Sequence, residues 1–193
     1  MPIPQDAIRC TGGELYAHVF ENRATGVPRR LFWALRLDCE PLRWADDDWE
    51  TSILLEWLTW PILRWPELHG MSLDRVVCPE ILNASFYLSE HHDVSLKALS
   101  LLRQGGAVFR VAAAGAFSLG GFGQLDGSDL RFDVDGGVHF SGLYVVRNNL
   151  FPKPSTPAEA SSVAARFIDL RDFGEPLWDG RFRYAFEPLE NAV

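Results

Sequence analysis

The chain has 193 residues, 47% of them apolar and 23% charged, which is enough to build one hydrophobic core and argues against disorder. Its net charge of −8 repels phosphate backbones and anionic bilayers, so nucleic-acid and membrane binding are disfavoured and a cationic partner is favoured. The first residues, MPIPQDAIRC, carry no basic start followed by an apolar run. The greasy stretch Ile53 to Leu63 is interrupted by Glu56 and Pro61 and is too short to span a bilayer. Cys10, Cys39 and Cys78 are odd in number, widely spaced and without a CxxC, which reads as reduced thiols. One cytoplasmic domain over residues 1–193 is the expectation.

Residues 14–22 and 30–39 read as two strands, joined by the turn chemistry of Asn22 to Pro28. A helix is expected to start at Asp46–Asp48, which can cap it and suit its positive end. Trp49, Ile53, Trp57 and Trp60 follow at helical spacing, and Pro61 stops it. Leu82, Ala84, Phe86 and Leu88 alternate as in a half-buried strand. Asp93 is expected to cap a short helix over 94–104, ended by Gly105-Gly106. Residues 107–117, 129–134 and 138–147 read as a meander with turns at Asp126-Gly127 and Asp135-Gly136-Gly137. Thr156-Pro-Ala-Glu159 is a capping box that opens a helix with the stripe Ala160, Val163, Ala164, Phe167 and Ile168. A strand over 181–187 closes the list. The order predicts an α+β fold: a mostly antiparallel sheet, built from a hairpin and a meander, with about three helices packed on it.

The familiar chemical motifs are incomplete. Ser118 follows a strand, as a nucleophile elbow requires, but glycines stand where the helix should start. Gly120-Gly121-Phe122-Gly123 lacks the third glycine of a dinucleotide fingerprint and the lysine of a P-loop. Asp133-Val-Asp135 lacks the sixth-position glycine and twelfth-position glutamate of a calcium loop. His91-His92-Asp93 is the densest metal-capable group, yet neighbours on a strand point apart. No catalytic residue, metal or cofactor is expected.

The anomaly is the stretch 38–65. It holds five of the seven tryptophans, and residues 38–50 carry six acids against Arg43 alone. Tryptophan anchors interfaces, and acid clusters steer basic partners. Equally, the tryptophans can line the core while the acids cap a helix. The sequence therefore points to an acidic binding module that sequesters or inhibits a basic protein partner. Its surface would be formed by Trp44, Asp46, Asp47, Asp48, Trp49, Trp60 and Trp65. Bacterial immunity or antitoxin-like proteins share this size and charge, by analogy alone and without a common motif. One rival is a small-molecule enzyme or ligand-binding domain with its site where Gly120–Gly123 meets His139 or His91. Another is a homo-oligomeric structural protein, a homodimer for instance, in which Trp60 and Trp65 cover each other across a two-fold axis.

Overall fold

The computed structural model describes residues 8–44, 46–119 and 129–192. Among the described residues nine strands form one sheet: β1 Cys10–Asn22, β2 Val27–Trp44, β3 Asp47–Leu58, β4 Asn83–Leu88, β5 Glu90–Gly105, β6 Val108–Phe117, β7 Leu130–Val146, β8 Leu177–Trp178 and β9 Arg183–Phe186. β1 to β7 follow each other as antiparallel neighbours. β1 then pairs parallel with β7, Glu14 opposite His139 through Val19 opposite Val145, and the sheet closes on itself. The result is a seven-stranded mixed β-barrel, with β9 and β8 continuing from β7 past the end of β6. Closure removes the open edges that an isolated sheet must protect.

The expected α+β architecture, a sheet with about three helices on it, is overturned. Only one α-helix is present among the described residues, α1 Pro157–Ala164. Its start matches the sequence: Thr156 Oγ1 accepts from the Glu159 N–H at 3.2 Å. The Glu159 carboxylate, however, accepts from the N–H and hydroxyl of Ser155. The helix stops before Phe167 and Ile168, so that the apolar stripe outlasts it.

The other two expected helices are strands, for one shared reason. In β3 the inward residues are Thr51, Ile53 and Leu55, and then Leu58. Inside the run lies a bulge, where Trp57 sits at φ 61°. A bulge adds one residue to a strand and reverses its in–out parity. Period-two spacing that slips in this way imitates the three- and four-residue spacing of a helix. β5 repeats the effect: its register shifts between Leu96 and Ala98, and the buried residues resume at Leu99 and Leu101. Conversely, the expected turn at Asp135-Gly136-Gly137 lies inside the continuous strand β7. Gly136 serves packing there, because a Cβ on it would lie 2.6 Å from Cys10 Sγ. The Asp126-Gly127 turn lies outside the described residues.

Large side chains fill the barrel. Leu15, Trp33, Leu35, Ile53, Leu55, Phe86, Phe109 and Phe140 point inward and are fully buried. The segment after β3 turns back to insert Trp65, whose ring meets Phe140 at 5.3 Å and Phe109 at 6.3 Å. Its Nε1 donates to the Asp172 carbonyl at 3.0 Å. The Asp172 carboxylate accepts two hydrogen bonds of 2.7 Å from Arg64, which pins residues 64–65 to the C-terminal segment. The described residues thus fill the interior as a packed core, in the manner of small barrels whose side chains occupy the inside. No helix among the described residues is long and apolar enough to cross a membrane.

Candidate binding surface

The acidic stretch is the tip of a hairpin. β1 last pairs with β2 at Cys10–Cys39, and β4 last pairs with β3 at Leu88–Thr51. Past these points the strand pairing among the described residues is between β2 and β3 alone, through Leu42–Trp49, Arg43–Asp48 and Trp44–Asp47, with one further bond at the root from the Glu40 N–H to the Arg9 carbonyl. A two-stranded ribbon over residues 40–50 therefore runs beyond the barrel rim. A register shift between Cys39 and Leu42 marks its root, where the Thr51 hydroxyl donates to the Glu40 carbonyl at 2.9 Å. Glu40, Arg43, Asp46, Asp47, Asp48 and Glu50 are all exposed. Asp46 sits at φ 71°, in the left-handed region that aspartate tolerates better than most residues. The aspartates expected to cap a helix instead make and flank a hairpin turn.

The tryptophans separate from the acids. Trp60 is 5% exposed and Trp65 is 0% exposed. The Trp60 Nε1 donates to the Ser72 carbonyl at 3.1 Å, and Arg103 lies over the Trp65 ring at 4.5 Å. Both are packing residues, and neither can meet its counterpart across a two-fold axis. Trp49 is half-buried at the ribbon root against the core, and Trp44 closes the ladder opposite Asp47. Of the seven expected surface residues, Asp46, Asp47 and Asp48 stand together in solvent with Trp44 and Trp49 on the same ribbon.

A second feature went unseen in the sequence. On the outer wall, Tyr16, His18 and Phe20 of β1 meet Phe32 of β2, Trp57 of β3 and Tyr144 of β7. Phe32, at 1% exposure, is as buried as the barrel interior yet lies apart from it. The His18 ring is packed between Tyr16, Phe20 and Phe32, and its Nδ1 has no hydrogen-bond partner among the described residues. Burial pushes its pKa down to about 4. Arg183 stacks over Tyr144 at 3.7 Å. The available signal was in β1 itself: Leu15, Ala17 and Val19 alternate with Tyr16, His18 and Phe20, so both faces are apolar and both need cover.

The remaining candidates do not converge. His91 pairs through Nδ1 with Ser85 Oγ at 3.0 Å, beyond the Phe117 end of β6, whereas His139 stands opposite Val108 at its other end. Nine residues of strand separate those ends, about 30 Å. The two histidines therefore belong to different places. Gly120–Gly123 lie outside the described residues. His92 is buried while His91 and Asp93 are exposed. Asp135 is held by Arg110 at 2.6–3.0 Å, and that guanidinium keeps its carboxyl below the usual range. No group of three or more His, Cys, Asp or Glu among the described residues is placed to hold a metal ion.

No protein-family model matches the chain, and neither a curated protein nor a solved structure matches it. What the fold and the surface define is a filled, closed β-barrel that carries a protruding acidic ribbon. The analogy with immunity and antitoxin-like proteins rests on size and charge alone and has no relative behind it.

Proposed function

We propose that this protein is a cytoplasmic binding module that sequesters or inhibits a basic macromolecular partner, docked on the ribbon of residues 40–50. The observation that supports this reading is the ribbon's position. It runs past both neighbouring strands, with five exposed carboxylates on Glu40, Asp46, Asp47, Asp48 and Glu50 and one exposed cation, Arg43. Carboxylates on a projecting element feel an approaching cation before the barrel wall does, and they steer its docking. Trp49 gives the same element an aromatic root on which a docked partner can pack. The filled barrel and the separated histidines turn the reading away from a small-molecule site.

The test captures partners on immobilised parent protein and on a variant with Asp46, Asp47 and Asp48 all changed to Asn, side by side at low salt. A basic protein retained by the parent and lost from the variant supports the reading. The same proteins retained equally by both would refute it.

A further inference from the structure

Cys10 and Cys39 are direct partners across β1 and β2. The Glu40 N–H donates to the Arg9 carbonyl at 2.8 Å. That bond joins the residue after Cys39 to the residue before Cys10, so the cysteines form a non-hydrogen-bonded pair. In such pairs antiparallel Cα atoms approach to about 4.5 Å and the side chains lie close. Disulfides span Cα separations of roughly 4.4–6.8 Å. Opposed residues share a face, and here it is the inward one: Cys39 is buried, and Cys10 is half-buried against the core. Each thiol donates only weakly to a carbonyl of its own strand, Cys10 to Gly12 at 3.2 Å and Cys39 to Leu37 at 3.7 Å. Burial raises both thiols, Cys39 to about 12, and Cys10 itself adds to the rise at Cys39. The third cysteine cannot compete. Cys78 accepts from Arg30 at 3.2 Å, nine residues along β2 from Cys39, which is about 30 Å of strand.

We propose that Cys10 and Cys39 are a redox modification site, closed into a disulfide by exchange with a low-molecular-weight disulfide of the glutathione class. Cys10, the more accessible thiol, loses its proton to solvent and attacks one sulfur of oxidised glutathione. The S–S bond breaks and one glutathione thiolate leaves. Cys39 then loses its proton and attacks the Cys10 sulfur, and the second glutathione thiolate leaves. Two protein thiols are oxidised, one disulfide is reduced to two thiols, and the two protons released are taken up by the departing thiolates. The bond ties the start of β1, the strand that closes the barrel against β7, to the root of the acidic ribbon, which begins at Glu40. The inference rests on strand register and holds whether or not the ribbon binds a basic partner.

The experiment incubates the reduced, full-length protein with oxidised glutathione, followed by alkylation, intact mass and peptide mapping. The expected product has lost two hydrogens, carries Cys10 linked to Cys39, and leaves Cys78 alkylated. Cys39→Ser should stop at a glutathione adduct on Cys10. A parent protein that accumulates the same unresolved adduct, links either cysteine to Cys78, or keeps both thiols free after the oxidant has modified Cys78 would overturn the proposal.

Discussion

Trp65 lies nearly parallel to Phe140 inside the barrel, with ring centroids 5.3 Å apart and planes at 27°. The contact joins an irregular segment to β7 and makes Trp65 part of the plug that fills the barrel. Truncating a fully buried tryptophan removes its transfer free energy and leaves a cavity. Trp65→Ala should destabilise the fold by about 3–5 kcal/mol in denaturant melts. A loss below about 1 kcal/mol would place Trp65 outside the cooperative core.

His18 makes stability depend on pH. Its folded pKa, about 4, lies below the ordinary histidine value of about 6.5 because burial disfavours the charged ring. The unfolded chain therefore binds the extra proton first as pH falls. The contribution of neutral His18 is fully present above about pH 6.5 and is lost as pH drops through about 4, up to roughly 3 kcal/mol in all. His18→Phe keeps an aromatic ring between Tyr16, Phe20 and Phe32 without a proton site. Melts of parent and variant between pH 7 and pH 4 should diverge, with the parent losing more. Parallel curves would show that His18 does not titrate on unfolding.

Gly142 marks where β7 passes from one partner to another, between its pairing with β6 and its pairing with β9. Its φ is 122°, and a Cβ there would lie 2.2 Å from the Phe186 carbonyl oxygen. Gly142→Ala meets both conformational strain and a backbone clash, so it should cost more than about 1 kcal/mol and loosen β9. Hydrogen exchange at Tyr184 and Phe186 would report the loosening, and unchanged protection there would contradict it.

Strand positions were legible in the sequence wherever parity holds, as in Leu15–Phe20, Leu31–Leu37 and Phe109–Phe117. Parity fails at Trp57 and around Lys97, where bulges bend the wall, and local pattern alone turns both strands into helices. Barrel closure was not legible, because the β1–β7 pairing joins residues more than 120 positions apart through no turn signal. The ribbon's charge was plain from Asp46–Asp48. Its separation from Trp60 and Trp65 was not, since composition cannot tell a core tryptophan from an exposed one.

Asp46 has two roles that substitutions can separate. It adopts φ 71° at the ribbon tip, and it contributes one of the exposed carboxylates there. Asparagine tolerates the left-handed region much as aspartate does, whereas alanine is strained there by about 1 kcal/mol. Asp46→Asn should therefore leave the melt unchanged and remove only charge, while Asp46→Ala should remove charge and also destabilise the turn. Steering acts on approach and is screened by salt within about 8–10 Å at physiological ionic strength. With a basic partner in hand, both variants should slow association at low salt and converge with the parent at high salt. Dissociation should change only for Asp46→Ala, because only that variant disturbs the docked shape. Stopped-flow association and dissociation rates at two salt concentrations test this pattern. Equal association rates for parent and Asp46→Asn at low salt would show that the ribbon tip does not steer.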